Sequence, residues 1–203
     1  MDKLLEDKFK SLNIDYPIWD QVFTVAPLVV IGTKEGKNYN LAPKHMATPI
    51  GLGNYFGFVC TPRHHTYHNI KKHKYFTVSF PLPDQVTLTS LSASSRDGDF
   101  TESKRIIEAL PTIKAETLDA LLLTNSYLYL ECELFKIIDG FDQNSIITGK
   151  IIKAYAEEDY IRISELDEQE QIKNNPLLAY IANGRFATIS QTFNFPFPKD
   201  FKR

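Results

Sequence analysis

The sequence lacks most of the features that mark secreted, membrane and nucleic-acid-binding proteins. It has only two cysteines in 203 residues, Cys60 and Cys132, which lie far apart and outside any CxxC pair, so free thiols in a reducing compartment are expected. The opening residues, MDKLLEDKFKSL, are too polar for a signal peptide or a membrane span. A formal net charge of -2 gives no bulk attraction to nucleic acid or to an anionic membrane. We therefore expect a cytoplasmic protein with no nucleic-acid partner and no membrane contact.

The chain also lacks internal repeats, low-complexity runs and any long linker, which favours a single domain over residues 1–203. No GxGxxG motif with a downstream acidic residue or arginine is present, so the sequence does not identify a Rossmann nucleotide site and does not favour NADH over NADPH. A hydrophobic fraction of 43% and a charged fraction of 24% are ordinary for a globular protein.

Short apolar runs rich in β-branched and aromatic residues predict several strands. In the clearest of them, Leu130 and Cys132 fall on one face, whereas Glu131 and Glu133 fall on the other, which is the period of a half-buried strand. Hairpin turns are expected at Glu35–Asn38 and across Asp139–Gly140. The predicted strands are Val22–Thr33, Tyr39–Pro43, Asn54–Cys60, Tyr75–Phe80, Tyr127–Ile138, Ser145–Ala156 and Gly184–Ser190.

Helical segments are fewer and shorter than the strands. We expect helices at His65–His73, at Glu102–Ala109 behind a Thr101 cap, and at Glu116–Leu123. Because helices do not alternate regularly with the strands, the pattern predicts a mainly β fold. The expected architecture is a closed or nearly closed antiparallel barrel decorated by short helices.

One stretch, CTPRHHTYHNIKKH, holds four of the five histidines and allows three interpretations. His64 and His68 share a helical face, and with Cys60 or His73 they resemble a zinc ligand set, although no HExxH motif is present. The histidines also suit a solvated basic helix. A third interpretation is a phosphate site at the start of that helix, with unpaired amides near Thr66 and a contact from Arg63.

A second stretch, NLAPKHMATP, follows a predicted strand and carries Lys44 and His45 among small and apolar residues. Taken alone, it is either a bend with two exposed polar residues or part of a binding site.

Taken in order, these segments resemble the flavin reductase-like, FMN-binding split-barrel family, which includes flavoredoxin. PLVVIGT leads through a turn to NLAP, and CTPRHHTYHNI is similar to a family segment that ends KDT-x-x-N-I, with Thr66, Asn69 and Ile70 matching. LYLECELFKIIDG and NSIITGKIIKAY are similar to its hairpin pair, which commonly carries a glycine such as Gly149. The likeness covers roughly residues 25–190, so the resemblance implies a Greek-key split β-barrel with a core at about residues 22–190 and an extension at each end.

The resemblance implies an FMN cofactor that carries the chemistry, so that no protein nucleophile, catalytic side chain or metal ion is assigned. Asn69 would lock the helix, and a homodimer with FMN near its interface is implied. His64 and His65 stand where the family has lysine and aspartate, and His45 stands where it often has serine. The implied FMN contacts are Asn40, Leu41, Ala42, Lys44 and His45 near the flavin ring, and Thr61, Arg63, His64, His65 and Thr66 around the phosphate.

Two functions are implied. The first is a flavin reductase-like oxidoreductase that passes electrons from NADH or NADPH through FMN to a flavin or another small acceptor. The second is a non-catalytic FMN-binding electron carrier for a protein partner. A metal-dependent hydrolase is a third alternative, which rests on the histidines alone.

Two further segments stay open. The polar loop Ser92–Phe100 is either a connection or a lid near the site. The aromatic tract Phe193–Phe197 is either a partner surface or a tail folded over its own barrel.

Overall fold

The computed structural model describes residues 8–95, 104–163 and 167–199, and twelve strands and four α-helices lie within those ranges. The helices are α1 His65–His73, α2 Val86–Leu91, α3 Ile106–Ala109 and α4 Glu168–Asn174. The first six strands are β1 Val25–Pro27, β2 Val29–Glu35, β3 Asn38–Lys44, β4 Ala47–Pro49, β5 Tyr55–Cys60 and β6 Tyr75–Pro81. The other six are β7 Thr112–Lys114, β8 Leu121–Leu123, β9 Ser126–Phe141, β10 Asn144–Ala156, β11 Leu177–Ile181 and β12 Arg185–Ile189. None of the helices in these ranges is long and apolar enough to cross a bilayer.

A seven-stranded antiparallel sheet forms the body of the molecule, in the order β3-β2-β6-β9-β10-β5-β4. Strands β3 and β4 are its opposite edges, yet only His45 and Met46 separate them along the chain. Two residues between strand ends allow at most about 11 Å between the Cα atoms of Lys44 and Ala47. The sheet must therefore curl until its edges approach each other, which makes a half-barrel. The predicted mainly β barrel with short helices is confirmed.

The predicted strand Val22–Thr33 is divided between two sheets. Strand β1 pairs with β11 in a separate three-stranded sheet of order β1-β11-β12, whereas β2 begins at Val29 in the half-barrel. Pro27 ends β1, because its nitrogen has no hydrogen to donate to a continuing ladder. One apolar run therefore connects the small sheet to the large one.

The main core lies inside the curl of the half-barrel, where Phe58 meets Phe76 edge to face at 5.3 Å between ring centroids. Gly149 is required by this packing, since a Cβ there would lie 2.6 Å from the Phe76 ring. Helix α1 adds the buried side chains of Tyr67 and Ile70 to the same core. A second apolar cluster on the other side of β2 comprises Val30, Leu41, Ile107, Leu110 and Leu123.

The hairpin β9–β10 differs from its prediction in two details. Its turn lies at Asp142–Gln143, where Asp142 takes a φ of 53°, rather than at Asp139–Gly140, which is still inside β9. Glu131 is fully buried instead of facing solvent, whereas Leu130 and Cys132 are buried as predicted.

The helix predicted at Glu116–Leu123 is wrong. That segment is a loop followed by strand β8, and the backbone N–H groups of Glu116, Thr117 and Leu118 donate to the Glu131 carboxylate at 2.9–3.0 Å. The helix does not form because Leu121–Leu123 pair with β7 instead, and the Ala115 amide donates to the Ala120 carbonyl at 2.9 Å beside that ladder.

The helix expected at Glu102–Ala109 is reduced to α3, which begins at Ile106, and the Thr101 cap and Glu102 lie outside the described residues. The helix predicted at His65–His73 is confirmed with the same bounds.

Candidate functional site

A cavity of about 290 Å³ lies between edge strand β3 and the beginning of helix α1. Seven of the ten residues assigned to a cofactor from the sequence line it, together with a segment after α2 and one lysine just before α3. Its lining residues are Asn40, Ala42, Pro43, Lys44, Arg63, His64, His65, Thr66, Ala93, Ser94, Ser95 and Lys104.

Strand alternation explains the β3 wall of this cavity. Asn40, Ala42 and Lys44 lie two residues apart, so they share one face of the strand. Leu41 points to the other face, where its side chain is fully buried in the second apolar cluster. Leu41 can therefore serve a ligand only through its backbone, and its carbonyl oxygen already accepts from Lys104 Nζ at 3.1 Å.

The opposite wall is the turn that starts helix α1. Thr61 shapes this turn, because its carbonyl accepts from the His64 amide at 3.0 Å and its hydroxyl accepts from the Arg63 amide at 3.3 Å. His64 is the N-cap residue, with extended backbone and no side-chain capping bond. The first amides of a helix have no acceptor within it, and the helix dipole adds partial positive charge at that end. The Tyr67 amide donates to the His64 carbonyl at 3.0 Å, whereas the His65 and Thr66 amides begin this nine-residue helix without a side-chain cap, an arrangement that suits an anion.

Asn40 joins the two walls. Its Nδ2 donates to Thr66 Oγ1 at 3.1 Å, and both side chains are buried. Asn40 Oδ1 is buried as well and has no hydrogen-bond partner among the described residues. An unpaired buried acceptor costs about 1–3 kcal/mol, so a ligand that donates at this point would relieve a cost that the protein carries without it.

Asn69, one turn later, also links helix α1 to the sheet. Its Nδ2 donates to Thr33 Oγ1 of β2 at 3.1 Å. The predicted locking role of Asn69 is confirmed.

The charged side chains that line the cavity within the described ranges are cationic. They are Lys44, Arg63 and Lys104, and no carboxylate lines the cavity in that part of the chain. Lys44 Nζ lies 3.5 Å from His64 Nδ1, and burial, followed by the charges of Lys44 and Lys104, lowers the pKa of His64. His64 is therefore neutral at pH 7 and contacts a ligand as a hydrogen-bonding ring, whereas the positive charge comes from the lysines and Arg63.

The His65 ring is oriented by a contact with the Glu35 carboxylate. Its Nδ1 lies 2.8 Å from Glu35 Oε1, and the Glu35 side chain is only 8% exposed. A carboxylate acceptor keeps the proton on Nδ1 and fixes the ring orientation. The backbone and Nε2 of His65 remain for the cavity.

His45, also assigned to the cofactor, lines a second cavity of about 330 Å³. Its ring stacks on Tyr180 with 4.4 Å between centroids, and burial, assisted by Lys44, lowers the pKa of His45. The two cavities share Pro43 and Ala93 in their walls, so they are neighbours. Leu41, Thr61 and His45 are thus the three assigned residues that do not line the first cavity.

Pro43 of β3 and two parts of the cavity outside β3 and α1 were not assigned from the sequence. Ala93, Ser94 and Ser95 belong to the polar loop that was left open, and residues 96–100 of that loop lie outside the described part. Lys104 is 60 positions after Lys44 and sits in no motif, so no local signal could identify it. Its position is fixed by bonds to the carbonyls of Leu41 and Ser92, at 3.1 and 2.9 Å.

The histidine-rich stretch does not assemble a metal centre in the part of the chain that the structure describes, where no three candidate ligands come together. His68 is exposed and contacts the Tyr67 ring edge to face. Cys60 is buried in the main core, and burial raises the pKa of its thiol.

Residues 23–189 match the flavin reductase-like domain family. No curated protein sequence matches the chain significantly.

Solved structures with the same fold include three that cover most of the chain. Flavoredoxin from Methanosarcina acetivorans is 19% identical, with 93% of this chain and 95% of that chain covered and a TM-score of 0.72. An FMN-binding protein from Thermus thermophilus, solved with bound 1-cyclohex-2-enone, is also 19% identical. The match covers 92% of this chain and 99% of that chain, with a TM-score of 0.72. A protein from Shewanella frigidimarina described as a flavin reductase with a split barrel domain is 17% identical. The match covers 86% of this chain and 87% of that chain, again with a TM-score of 0.72. The half-barrel described above is thus a split barrel.

Proposed function

Because the chain belongs to the family of flavin reductase-like domains, we propose that it is an FMN-dependent oxidoreductase that takes electrons from NADH or NADPH. The acceptor is a second flavin or another small molecule. The observation that carries this proposal is the cavity at the start of α1, where the described lining residues include three cationic side chains and no carboxylate, and where the helix has no side-chain cap.

The residues of this cavity suit a flavin mononucleotide. Its phosphate carries negative charge and three acceptor oxygens, which match the first amides of α1 and the guanidinium of Arg63. Lys44 and Lys104 add positive charge on the β3 side. Asn40 Oδ1, which has no partner within the described residues, accepts a hydrogen bond from the ligand. Ala42 and Pro43 supply a small, apolar stretch of backbone against which a flat ring can lie.

Bound FMN would supply the redox chemistry, namely acceptance of hydride from a reduced nicotinamide and delivery of electrons to an acceptor. The chain's own residues bind and orient the cofactor. Neutral His64 hydrogen-bonds without adding charge, and Glu35 holds the His65 ring in place. Neither a protein nucleophile nor a metal ion is required.

We also propose that the working unit is a homodimer with the cofactor near its interface. Phe193, Phe195 and Phe197 are 85%, 71% and 47% exposed, so the aromatic tract is not folded into its own barrel. Exposed aromatic side chains grouped in this way suit a partner surface.

The test is an absorption spectrum of the purified protein from about 300 to 600 nm, the range of the flavin bands, before and after FMN is added and the excess removed. Flavin bands that stay with the protein support cofactor binding. Bleaching of those bands by NADH or NADPH, with turnover when an acceptor is present, supports the oxidoreductase. Bleaching by dithionite alone would make the protein an electron carrier, and a colourless protein that does not retain FMN would exclude both.

A further inference from the structure

The second cavity lies where three parts of the fold meet. Edge strand β3 supplies one wall, helix α2 a second, and the hairpin β11–β12 of the small sheet a third. Cavities between separate packed units are common ligand sites. The lining residues are Leu28, Pro43, His45, Val86, Thr89, Ser90, Ala93, Tyr180, Gly184, Arg185 and Phe186.

The walls of this cavity are mainly apolar and partly flat. Leu28, Val86 and Phe186 give an apolar lining. His45 and Tyr180 stack with an interplanar angle of 25°, so their facing surfaces cover each other and the rest of the stack supplies aromatic surface to the cavity. A planar aromatic or conjugated molecule packs against such a surface better than a branched aliphatic one.

Two polar groups of the cavity have no partners in the described part of the chain. Thr89 is fully buried, and its hydroxyl makes no hydrogen bond there. Arg185 is exposed and has no ion-pair partner among those same residues. No carboxylate is among the lining residues that fall in the described ranges. Within those ranges the cavity therefore offers an unused hydroxyl and one cation without an acidic partner beside an apolar body.

The position of Arg185 is fixed by the turn before it. The Gly184 amide donates to the Tyr180 hydroxyl at 2.8 Å, and Gly184 takes a φ of 79°, which favours glycine. The turn is thus tied to Tyr180, and Phe186 pairs with Tyr180 across the hairpin. Arg185 follows this turn directly, and its side chain is among those that line the cavity.

We propose that the second cavity binds the electron acceptor, and that this acceptor is a planar conjugated molecule with one carboxylate. Its ring lies against the part of the His45–Tyr180 stack that lines the cavity, and its carboxylate meets Arg185 and the Thr89 hydroxyl. A volume of about 330 Å³ accommodates a compound with one or two rings. Pro43 and Ala93 are common to both cavities, which places the acceptor beside the cofactor. This proposal rests on the function proposed above.

The probe is benzoate, compared with its uncharged analogue benzamide. Dissociation constants are measured by ligand-observed NMR on flavin-loaded and flavin-free protein, so that the readout does not depend on activity. We expect benzoate to bind about tenfold more tightly than benzamide, because the two differ by one charge-assisted contact. Arg185→Met abolishes this preference, Arg185→Lys retains part of it, and Thr89→Val weakens benzoate binding several-fold. Lys37→Met removes one positive charge from the exposed β2–β3 turn and leaves the preference unchanged.

Equal binding of the two probes to the wild type, or a preference that survives Arg185→Met, overturns the proposal. Loss of FMN from the Arg185→Met protein also overturns it, because the cavity would then hold the flavin itself. A protein that refuses FMN but still prefers benzoate refutes the proposed function without removing the carboxylate site. The two failures are therefore distinguishable.

Discussion

At the scale of single residues, Asn40 makes one structural hydrogen bond through its side-chain nitrogen and none through its side-chain oxygen within the described residues. Its amide group holds Thr66 at the start of α1, while its buried oxygen is unpaired among the described residues. Asn69 and Thr33 form the same kind of pair away from the cavity. A ligand that pairs with the Asn40 oxygen gains a hydrogen bond and also removes an existing cost. We therefore expect cofactor binding to raise the melting temperature of the protein.

The first prediction concerns Arg63, which is exposed at the mouth of the site. Riboflavin lacks the phosphate of FMN, so the dissociation constant of riboflavin divided by that of FMN measures the phosphate contact alone. Arg63→Met lowers this ratio about tenfold, or ~1.4 kcal/mol, because a charge-assisted contact is lost. The ratio is obtained by flavin fluorescence titration.

The control for this prediction is again Lys37→Met, which carries the same charge change outside the cavity. If both variants lower the ratio equally, the effect is one of bulk charge, and the assignment of Arg63 to the phosphate is wrong.

At the scale of elements, the loop between β7 and β8 is organised around a carboxylate from another strand. Glu131 is fully buried and accepts from three backbone amides and from the Thr117 hydroxyl, the latter at 2.6 Å. This loop precedes β8, whose residue Leu121 accepts from Thr77 of β6 through its carbonyl oxygen at 2.6 Å. Glu131 thus fixes a segment that has little regular structure of its own.

Replacing this carboxylate should show its contribution to stability. Glu131→Gln puts an amide donor where the loop supplies donors, and we expect it to lower the free energy of unfolding by about 2–4 kcal/mol. Glu133→Gln, two positions along β9 and exposed, should change it by less than about 0.5 kcal/mol. Urea denaturation followed by circular dichroism measures both variants. Equal midpoints for the two would mean that the loop does not depend on Glu131.

The same loop explains which elements the sequence could predict. Strand β9 and helix α1 have clear periodicity, and their neighbours reinforce it, so local pattern is sufficient. The segment at Glu116–Leu123 has helical residue types, but Leu121–Leu123 pair with β7, and the loop before them is bound by Glu131 from farther along the chain.

For the candidate site, the order of motifs identified the β3 and α1 walls. Lys104 was missed because it arrives through tertiary packing, which local sequence does not record.

At the scale of the whole molecule, the exposed phenylalanines near the C-terminal end bear on assembly. Light scattering coupled to size exclusion should give about twice the 23.3 kDa chain mass, as a dimer requires. Replacing Phe193, Phe195 and Phe197 together by Ser should shift the protein toward the monomer. Each change removes apolar area that a partner would bury, worth about 1.5–3 kcal/mol per side chain when fully covered.

Leu52→Ser is the matched control for assembly, because Leu52 is fully exposed in the turn between β4 and β5. If the triple variant stays dimeric, the interface lies elsewhere and the aromatic tract is an exposed tail.

The two-residue link of His45 and Met46 has a mechanical meaning for the molecule. By its length it resembles an ordinary surface connection, of the kind that tolerates cleavage or insertion. Here, however, it is the covalent link between opposite edges of one sheet, and the walls of both cavities continue into it. A longer link would let the two edges move apart and would separate Lys44 in one cavity from His45 in the other. Of the two-residue connections in the half-barrel, this one therefore keeps the two cavities next to each other.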